Sequence, residues 1–267
     1  MAMFDVWFQT ICQRRAGRLN AALNLILNEI PRRTGLETFC VLCPDRPTVQ
    51  VAEVVENYRP HRRVLVTDPV CPVTSPEHGQ QWTRVRNGLS DDFDAQGHVA
   101  KWCANWDDDW LLGPGWDLPE TGLPAMLASR SVWSWRLVSA HVWGADRDGK
   151  ATVNLRQFHD SPLFGRYEKG WRRDETMTNQ IADKVIDHVA KNPEAERYAP
   201  FYLIDCGTIT DEERRFLYRK YAKVGKCDDY TRRYIQEPRT KPLTWVYNQF
   251  PDPRDYRNMQ LKELGFG

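Results

Sequence analysis

The chain has 267 residues, of which 41% are hydrophobic and 27% are charged, a composition typical of a soluble globular protein with a sizeable core. Its formal net charge is +1, from 37 basic and 36 acidic residues, so no overall charge selects a nucleic acid or a membrane surface. No apolar run is long enough to span a bilayer, and the first residues lack a signal-peptide pattern, so we expect no membrane partner.

The sequence contains seven cysteines, an odd number, and most of them lie in apolar runs. This pattern favours free thiols in a reducing compartment and predicts a cytoplasmic protein. Cys40 and Cys43 have a spacing found in metal sites, but no second pair accompanies them. In a strand their sulfurs would point to opposite faces, so both are expected to be core residues.

The first part of the chain alternates predicted strands and helices. A first strand near the N-terminus precedes an amphipathic helix over 18–31, which we expect Pro31 to end. A short buried strand over 38–43, a second helix over 47–58 and a third strand over 63–68 follow. This β-α-β-α-β order predicts a parallel sheet covered by helices.

Further helices and strands are predicted along the rest of the chain. The helices cover 80–93, 174–192 and 210–225, and the strands cover 98–106, 131–143, 151–158 and 202–207. We expect a bulge in the long strand 131–143 and an antiparallel pairing with the strand that follows the turn at 146–150. Asp174 is the expected N-cap of its helix, and Thr210 with Glu213 predicts a capping box.

Three consecutive aspartates, Asp107, Asp108 and Asp109, follow a predicted apolar strand. In an open parallel sheet, ligands bind beyond the carboxyl ends of the strands. Adjacent carboxylates repel one another there unless a cation neutralises them. In an extended backbone Asp107 and Asp109 point to the same side, which would allow them to share one hard divalent ion. The alternative is an acidic turn in solvent.

The segment from Arg84 to Trp116 resembles the central part of GT-A fold glycosyltransferases, especially those like family 2. The elements that carry the resemblance are Arg86-Asn87-Gly88 in a helix, Gly97 in a turn, the strand to Trp106, the aspartate triplet and Pro114. The N-terminal part is similar too, since a strand and a polar loop lead into a helix and the second strand ends at Asp45. The resemblance covers about residues 4 to 145.

The resemblance implies an α/β fold, with a GT-A-like, Rossmann-type mixed sheet covered by helices and a C-terminal helical or irregular appendage. We therefore expect residues 1–205 to form a nucleotide-sugar-binding and catalytic domain. Residues 206–267 would form a basic, aromatic extension packed on it. The resemblance also implies a metal-dependent enzyme that moves a sugar from a nucleotide-sugar donor to an acceptor hydroxyl.

Roles for individual residues follow from the resemblance. Asp109, with Asp107, would hold Mn²⁺ or Mg²⁺, which would offset the charge that develops on the departing diphosphate. The residues expected to bind the nucleotide-sugar are Arg14, Asp45, Arg86, Asn87, Asp107, Asp108 and Trp171. The first strand ends in "TICQRR" rather than in the family's Pro-Thr-Tyr-Asn-like turn, which leaves the contacts to the base open. An alternative for Arg86 is a surface position on a helix.

Inverting members of the resembling family use a carboxylate to take the proton from the acceptor hydroxyl. Asp174 and Glu175 occupy the corresponding place and are the expected catalytic residues, although a role for Asp174 as a cap alone remains open. Asp160 is a weaker candidate for the base. His159 is considered as an additional metal ligand, but a lone histidine is more often structural.

The segment from Arg214 to Lys241 contains ten basic and three acidic residues, with aromatic residues between them. Basic side chains bind phosphates and aromatic rings stack on exposed bases, so Tyr230, Arg232 and Arg233 are candidate acceptor-binding residues. The acceptor would then be a hydroxylated base in DNA, as for DNA-modifying glycosyltransferases of bacteriophages. The alternative is a solvated helix face whose aromatic residues turn to the core.

The sequence leaves two other functions open. A nucleotidyltransferase with a related sheet would normally have a glycine-rich loop with a basic residue after the first strand, and "CQRRAGR" matches this poorly. A non-catalytic nucleic-acid-binding protein would use the basic tail, but the intact aspartate triplet argues against it. The sequence leaves open the sugar, the nucleotide, the inverting or retaining outcome and the oligomeric state.

Overall fold

The structure is a computed structural model and describes residues 2–71, 78–157, 160–175, 181–223 and 238–263. The strands are β1 (Met3–Cys12), β2 (Thr38–Pro44), β3 (Val64–Val66), β4 (Val99–Asp107), β5 (Trp110–Leu112), β6 (Ser134–Ala145), β7 (Ala151–Asn154), β8 (Asp160–Arg166), β9 (Glu196–Tyr198), β10 (Leu203–Asp205) and β11 (Thr240–Pro242). The helices are α1 (Ala16–Asn24), α2 (Ile30–Thr34), α3 (Val49–Tyr58), α4 (His78–Ala95), α5 (Leu123–Ala128), α6 (Asp183–Lys191), α7 (Asp211–Lys223), α8 (Leu243–Gln249) and α9 (Pro253–Glu263).

The chain divides into two compact units that interleave along the sequence. Unit 1 comprises Met1–Asp109, Gly115–Arg136 and Pro162–Arg197, and unit 2 comprises Trp110–Pro114, Leu137–Ser161 and Tyr198–Gly267. The division into domains predicted at residue 205 stays a prediction. Within the described part of the chain, none of the helices is both long enough and apolar enough to cross a bilayer.

Unit 1 is built on a mixed sheet with the strand order β3-β2-β1-β4-β8. The first four strands in this order run parallel to one another, and β8 is antiparallel to β4. Helices α3 and α4 pack against β2. The predicted fold class is confirmed at the level of architecture: the protein has a mixed α/β fold with a Rossmann-type sheet covered by helices.

The core of unit 1 surrounds β1, the central strand of this sheet. Because β1 pairs with β2 on one side and with β4 on the other, Val6, Trp7 and Phe8 are fully buried. Trp7 stacks on Phe93 of α4 with 4.4 Å between the ring centroids, and Tyr167 packs against Trp7 edge-on. These aromatic contacts fix α4 and the chain that follows β8 on one face of the sheet.

The first helical region extends past its predicted end at Pro31. Residues Leu25–Glu29 form a π-helical turn between α1 and α2, and Pro31 lies in the first turn of α2. The prediction that Pro31 ends the helix is wrong, because the helical backbone continues through Pro31 to Thr34, and the π-helical turn that precedes Pro31 alters the hydrogen-bond pattern next to the residue that lacks an amide donor. The helix ends instead at Gly35, whose φ of 72° is left-handed.

The helix predicted over 174–192 is shorter than expected, because α6 begins at Asp183 and its N-cap is Ala182. Residues 171–175 are not helical, and 176–180 lie outside the described residues. The prediction that Asp174 caps this helix is therefore wrong.

Unit 2 contains β7 paired antiparallel with β6, with a register shift between Val142 and Gly144 that confirms the predicted bulge. The predicted late strand is β10, which is parallel to β6 and antiparallel to β5. Glu213 accepts from the Thr210 N–H at 2.9 Å and its own N–H donates to the Thr210 hydroxyl at 3.2 Å, which confirms the capping box.

Candidate active site

The carboxyl ends of β1, β2 and β4 meet at one edge of the sheet of unit 1. The register aligns Ile11 of β1 with Asp107 of β4, and Cys12 of β1 with Pro44 of β2. The loop after β1, Asp45 after β2 and the aspartates that end β4 therefore lie beside one another. Ligands of open parallel sheets bind at this edge.

The acidic triplet changes direction at the end of β4. Asp107 is the last residue of the strand, and Asp108 and Asp109 form a turn. The expected alternation of the three side chains is wrong, because it assumed an extended backbone beyond Asp107. Asp107 lies 3.9 Å from the Arg86 guanidinium, whereas Asp108 and Asp109 both face Arg15. Burial lowers the pKa of Arg86 to about 10 and Asp107 acts in the opposite direction, so Arg86 is cationic at neutral pH.

Arg15 neutralises the two carboxylates of this turn. Its Nη1 donates a hydrogen bond to Oδ2 of Asp109 and lies 3.6 Å from Oδ1 of Asp108. The side chains of Asp108 and Asp109 are 9% and 5% exposed. Burial raises the pKa of Asp108 to about 6, whereas Arg15 and the backbone N–H of Gln13, which is 3.4 Å from Oδ2, act in the opposite direction. Arg15 thus favours the ionised form of a carboxylate that is nearly buried.

Asp45 lies at the end of β2, where the sequence predicts contact with a nucleotide base. It is fully buried, and its carboxylate accepts a hydrogen bond from Nε2 of Gln13 at 2.6 Å. Arg46 Nε lies 3.3 Å from the other oxygen, and Arg46 has a φ of 48°, a left-handed conformation that is uncommon for this residue type. Of the two arginines in the loop after β1, Arg14 is exposed and Arg15 reaches the triplet.

A buried polar network joins the sheet to the chain around Arg173. Gln9 is a buried glutamine of β1, and its Nε2 donates to the carbonyl of Arg86 at 2.9 Å. Nη2 of Arg173 donates to Oε1 of Gln9 at 2.8 Å and to Oδ1 of Asn105 at 3.1 Å. Asn87 Nδ2 donates to the carbonyl of Arg173 at 2.9 Å, and the Arg173 N–H donates to Oδ1 of Asn87 at 3.0 Å. These bonds hold the backbone of Arg173 against α4.

Glu175 lies next to this network. Its Oε1 accepts a hydrogen bond from Asn87 Nδ2 at 3.3 Å, and its Oε2 is 3.5 Å from Nε of Arg84. The side chain of Glu175 is 51% exposed, and Asp174 is also exposed. Since Asn87 directly follows Arg86, which faces Asp107, the structure brings Glu175 to the part of unit 1 that holds the triplet.

Other predicted site residues lie elsewhere. Trp171 stacks on Trp133 with 5.9 Å between ring centroids and lines a cavity of about 460 Å³ together with Lys101. Lys101 precedes Asp107 by six residues of β4, which corresponds to about 20 Å along the strand. Asp160 of unit 2 accepts hydrogen bonds from Tyr198 and Arg257. The predicted residues that lie outside the described ones are His159, Tyr230, Arg232 and Arg233.

A divalent ion at the triplet would have to be held by its carboxylates. Among the described residues, no three or more His, Cys, Asp or Glu side chains are grouped so that they surround a metal position. The donor type nevertheless fits, because carboxylate oxygens are the ligands that Mn²⁺ and Mg²⁺ prefer. The guanidinium of Arg15 also occupies the place beside Asp108 and Asp109 where a cation is expected. The assignment of Asp107 and Asp109 to a metal stays a prediction.

The sequence did not predict several residues of this arrangement, namely Gln9, Gln13, Arg15, Arg84, Asn105 and Arg173. A signal existed for Gln9, since a glutamine inside an otherwise apolar strand must find a buried partner. The choice between Arg14 and Arg15 carried no such signal, because both arginines lie in one loop and only the loop conformation distinguishes them.

The sequence matches no family model and no curated protein. Among solved structures, the chain is similar to S. aureus TarS 1-349, with 13% identity, a TM-score of 0.39 and coverage of 64% of this chain and 52% of that chain. The complex of the same TarS fragment with UDP-GlcNAc has a TM-score of 0.38 at 13% identity, covering 61% of this chain and 45% of that chain. The mannosyltransferase PcManGT from Pyrobaculum calidifontis, in complex with GDP-Man and Mn²⁺, has a TM-score of 0.47 at 10% identity, covering 99% of this chain and 75% of that chain. The chain thus spans about half the length of the TarS chains it matches.

Proposed function

We propose that the protein is a metal-dependent glycosyltransferase that moves a sugar from a nucleotide-sugar donor to an acceptor hydroxyl. The observation that supports this most is the meeting of Asp45, the acidic triplet and two arginines at the carboxyl ends of β1, β2 and β4. A nucleotide-sugar has a base with hydrogen-bond donors and a diphosphate with negative charge. The Asp45 carboxylate would accept from the base after Gln13 or Arg46 releases one of its oxygens, and Arg86 is a cation for the diphosphate.

In this proposal the two ends of the site have separate tasks. Asp45, fixed by Gln13, accepts hydrogen bonds from the nucleoside, and Arg86 holds the diphosphate. Asp107 and Asp109 would hold the divalent ion, which supplies positive charge opposite the departing diphosphate. Asp108, which is nearly buried and pairs with Arg15, is the further proposed nucleotide-sugar ligand of the triplet.

Glu175 is the proposed general base. Asp174, the other member of the predicted catalytic pair, precedes it in the chain. As the acceptor oxygen bonds to the anomeric carbon, Glu175 takes the hydroxyl proton and the bond to the diphosphate oxygen breaks. A hydrogen bond from Asn87 and an ion pair with Arg84 orient the Glu175 carboxylate. Arg173 positions this segment, because its backbone and side chain are bonded to α4, β1 and β4.

A screen of donors tests the proposed function. The purified chain is incubated with UDP-sugars, GDP-sugars and nucleoside triphosphates, with and without Mn²⁺. Melting temperature and released nucleotide are recorded, since a ligand of the native state raises the melting temperature. We expect a Mn²⁺-dependent shift and nucleoside diphosphate release with one class of nucleotide-sugar. Pyrophosphate release from a triphosphate would instead indicate a nucleotidyltransferase, and a folded chain that responds to no nucleotide-sugar would refute the proposal.

The acceptor is proposed to be a hydroxylated base in DNA. This rests on the excess of basic residues between Arg214 and Lys241. The test is retardation of duplex and single-stranded DNA at low salt, with weaker binding as the salt rises. An absence of retardation at low salt would contradict this acceptor and favour glycans, lipids or small metabolites.

A further inference from the structure

Arg15 makes an ion pair with two members of the acidic triplet. Its Nη1 donates to Asp109 and lies 3.6 Å from Asp108, and both carboxylates are more than nine-tenths buried. A guanidinium and a divalent ion cannot share one carboxylate oxygen at close range, because both are cations. Any ion that binds Asp109 through Oδ2 must therefore displace Arg15 from it.

The charges around the triplet indicate where the displaced guanidinium would go. Arg15, Arg86 and Arg18, which also acts on Asp108, offset the charge of the three aspartates, so the site has no excess of positive charge. A diphosphate brings further negative charge, so it binds poorly unless positive charge is added. A divalent ion would add that charge, and the guanidinium that it releases would become available to bind the diphosphate. Arginine binds phosphate oxygens strongly because its donors form a planar fork.

We propose that Arg15 is an exchangeable counter-cation of the site. In the donor-free protein it binds Asp108 and Asp109, and when a divalent ion takes Asp109, Arg15 moves to the donor diphosphate. This inference rests on the proposed function for the identity of the donor. Arg15 thereby weakens metal binding in the absence of donor and strengthens nucleotide binding in the presence of metal, which couples the two ligands.

The test compares the wild-type chain with Arg15→Gln. Mn²⁺ binding without nucleotide is followed by the loss of the free Mn²⁺ signal in electron paramagnetic resonance. The binding of UDP and of GDP at saturating Mn²⁺ is followed by calorimetry. We expect Arg15→Gln to bind Mn²⁺ about tenfold more tightly and the preferred nucleotide about tenfold more weakly, the scale of one partly buried ion pair. The control is Arg59→Gln, which removes an exposed arginine paired with Glu56 and is expected to change neither affinity.

The two opposite changes distinguish the proposed exchange from a structural role of Arg15. Mn²⁺ affinity that is unchanged or lower in Arg15→Gln would overturn the inference, as would an unchanged nucleotide affinity. If Arg15→Gln does not fold, Arg15→Lys is used, and its Mn²⁺ affinity is expected to lie close to that of the wild type because the charge is kept. Failure of the proposed function has a different signature: the opposite changes would be present, but no sugar would be transferred from any nucleotide-sugar by the wild-type chain.

Discussion

Replacing Arg173 by methionine is the sharpest test of how the site is held together. Nη2 of Arg173 donates to Gln9, to Asn105 and, at 3.8 Å, to the sulfur of Cys103. Arg173 is 5% exposed, so water does not readily replace these bonds. Arg173→Met keeps an unbranched apolar stem of similar length and removes only the guanidinium.

The expected loss of stability follows from the two oxygens that lose this donor. Gln9 and Asn105 are each 1% exposed, and a buried acceptor deprived of its partner costs about 1–3 kcal/mol. The substitution also removes a buried cation whose desolvation is unfavourable, which offsets part of the cost. We therefore expect Arg173→Met to lower the free energy of unfolding by about 2–4 kcal/mol, and to reduce sugar transfer because the segment that carries Glu175 is no longer fixed.

Urea denaturation followed by fluorescence and circular dichroism measures this change. The matched control is Arg172→Met, which changes the adjacent arginine. Arg172 is 27% exposed and pairs with Asp91 and Asp94, so its loss is expected to cost about 1 kcal/mol or less. A loss below 1 kcal/mol for Arg173→Met, or equal losses for the two variants, would refute the claim that the buried network holds this segment in place.

Three further predictions concern other parts of the structure. Glu175→Gln is expected to lower the rate of sugar transfer by roughly 10²–10⁴-fold with donor affinity unchanged. The control Glu194→Gln changes an exposed glutamate and should leave the rate within about twofold of the wild type. Equal transfer rates for the two variants would exclude Glu175 as the base. Burial raises the pKa of the Cys40 and Cys43 thiols to about 12, so neither should be alkylated by iodoacetamide at pH 8 in the native protein. Because the folded chain keeps thiol protons that the unfolded chain loses above about pH 8.5, stability should fall between about pH 9 and pH 12, and a flat profile would contradict this. Thr210→Ala removes a capping box and should cost about 1 kcal/mol in thermal denaturation, with Thr210→Ser restoring most of it.

The elements that the sequence predicted well are those whose pattern is local. The strand β1 and the helix α4 follow from apolar runs and from helical periodicity, and their packing through Trp7 and Phe93 needs only hydrophobic burial. The parallel order of the first strands follows from the helices that connect them. Pro31 was misread because a π-helical turn precedes it, and such a turn has no clear local signature.

The site was predicted less completely because its geometry depends on loops. The sequence brought Asp45 and the triplet to one sheet edge, since both follow strands that run in parallel. It could not select Arg15 over Arg14, and it assigned Trp171 to the donor although this ring stacks on Trp133. Arg14 and Trp171 both lie in segments without regular structure, where a side chain's direction is set by tertiary contacts and not by period, and their assignment to the donor stays a prediction.

Arginine side chains can explain why the protein tolerates three adjacent aspartates without a bound metal ion. Asp107 faces Arg86, and Asp108 and Asp109 face Arg15, so each carboxylate has a cationic partner before any ligand arrives. A divalent ion gains its attraction to the carboxylates, but its binding also costs the attraction between the carboxylates and the guanidinium that it replaces. A donor whose diphosphate binds the released guanidinium recovers part of this cost and so raises the affinity for the ion. Metal and nucleotide should consequently bind more tightly together than either does alone, by the same factor for both.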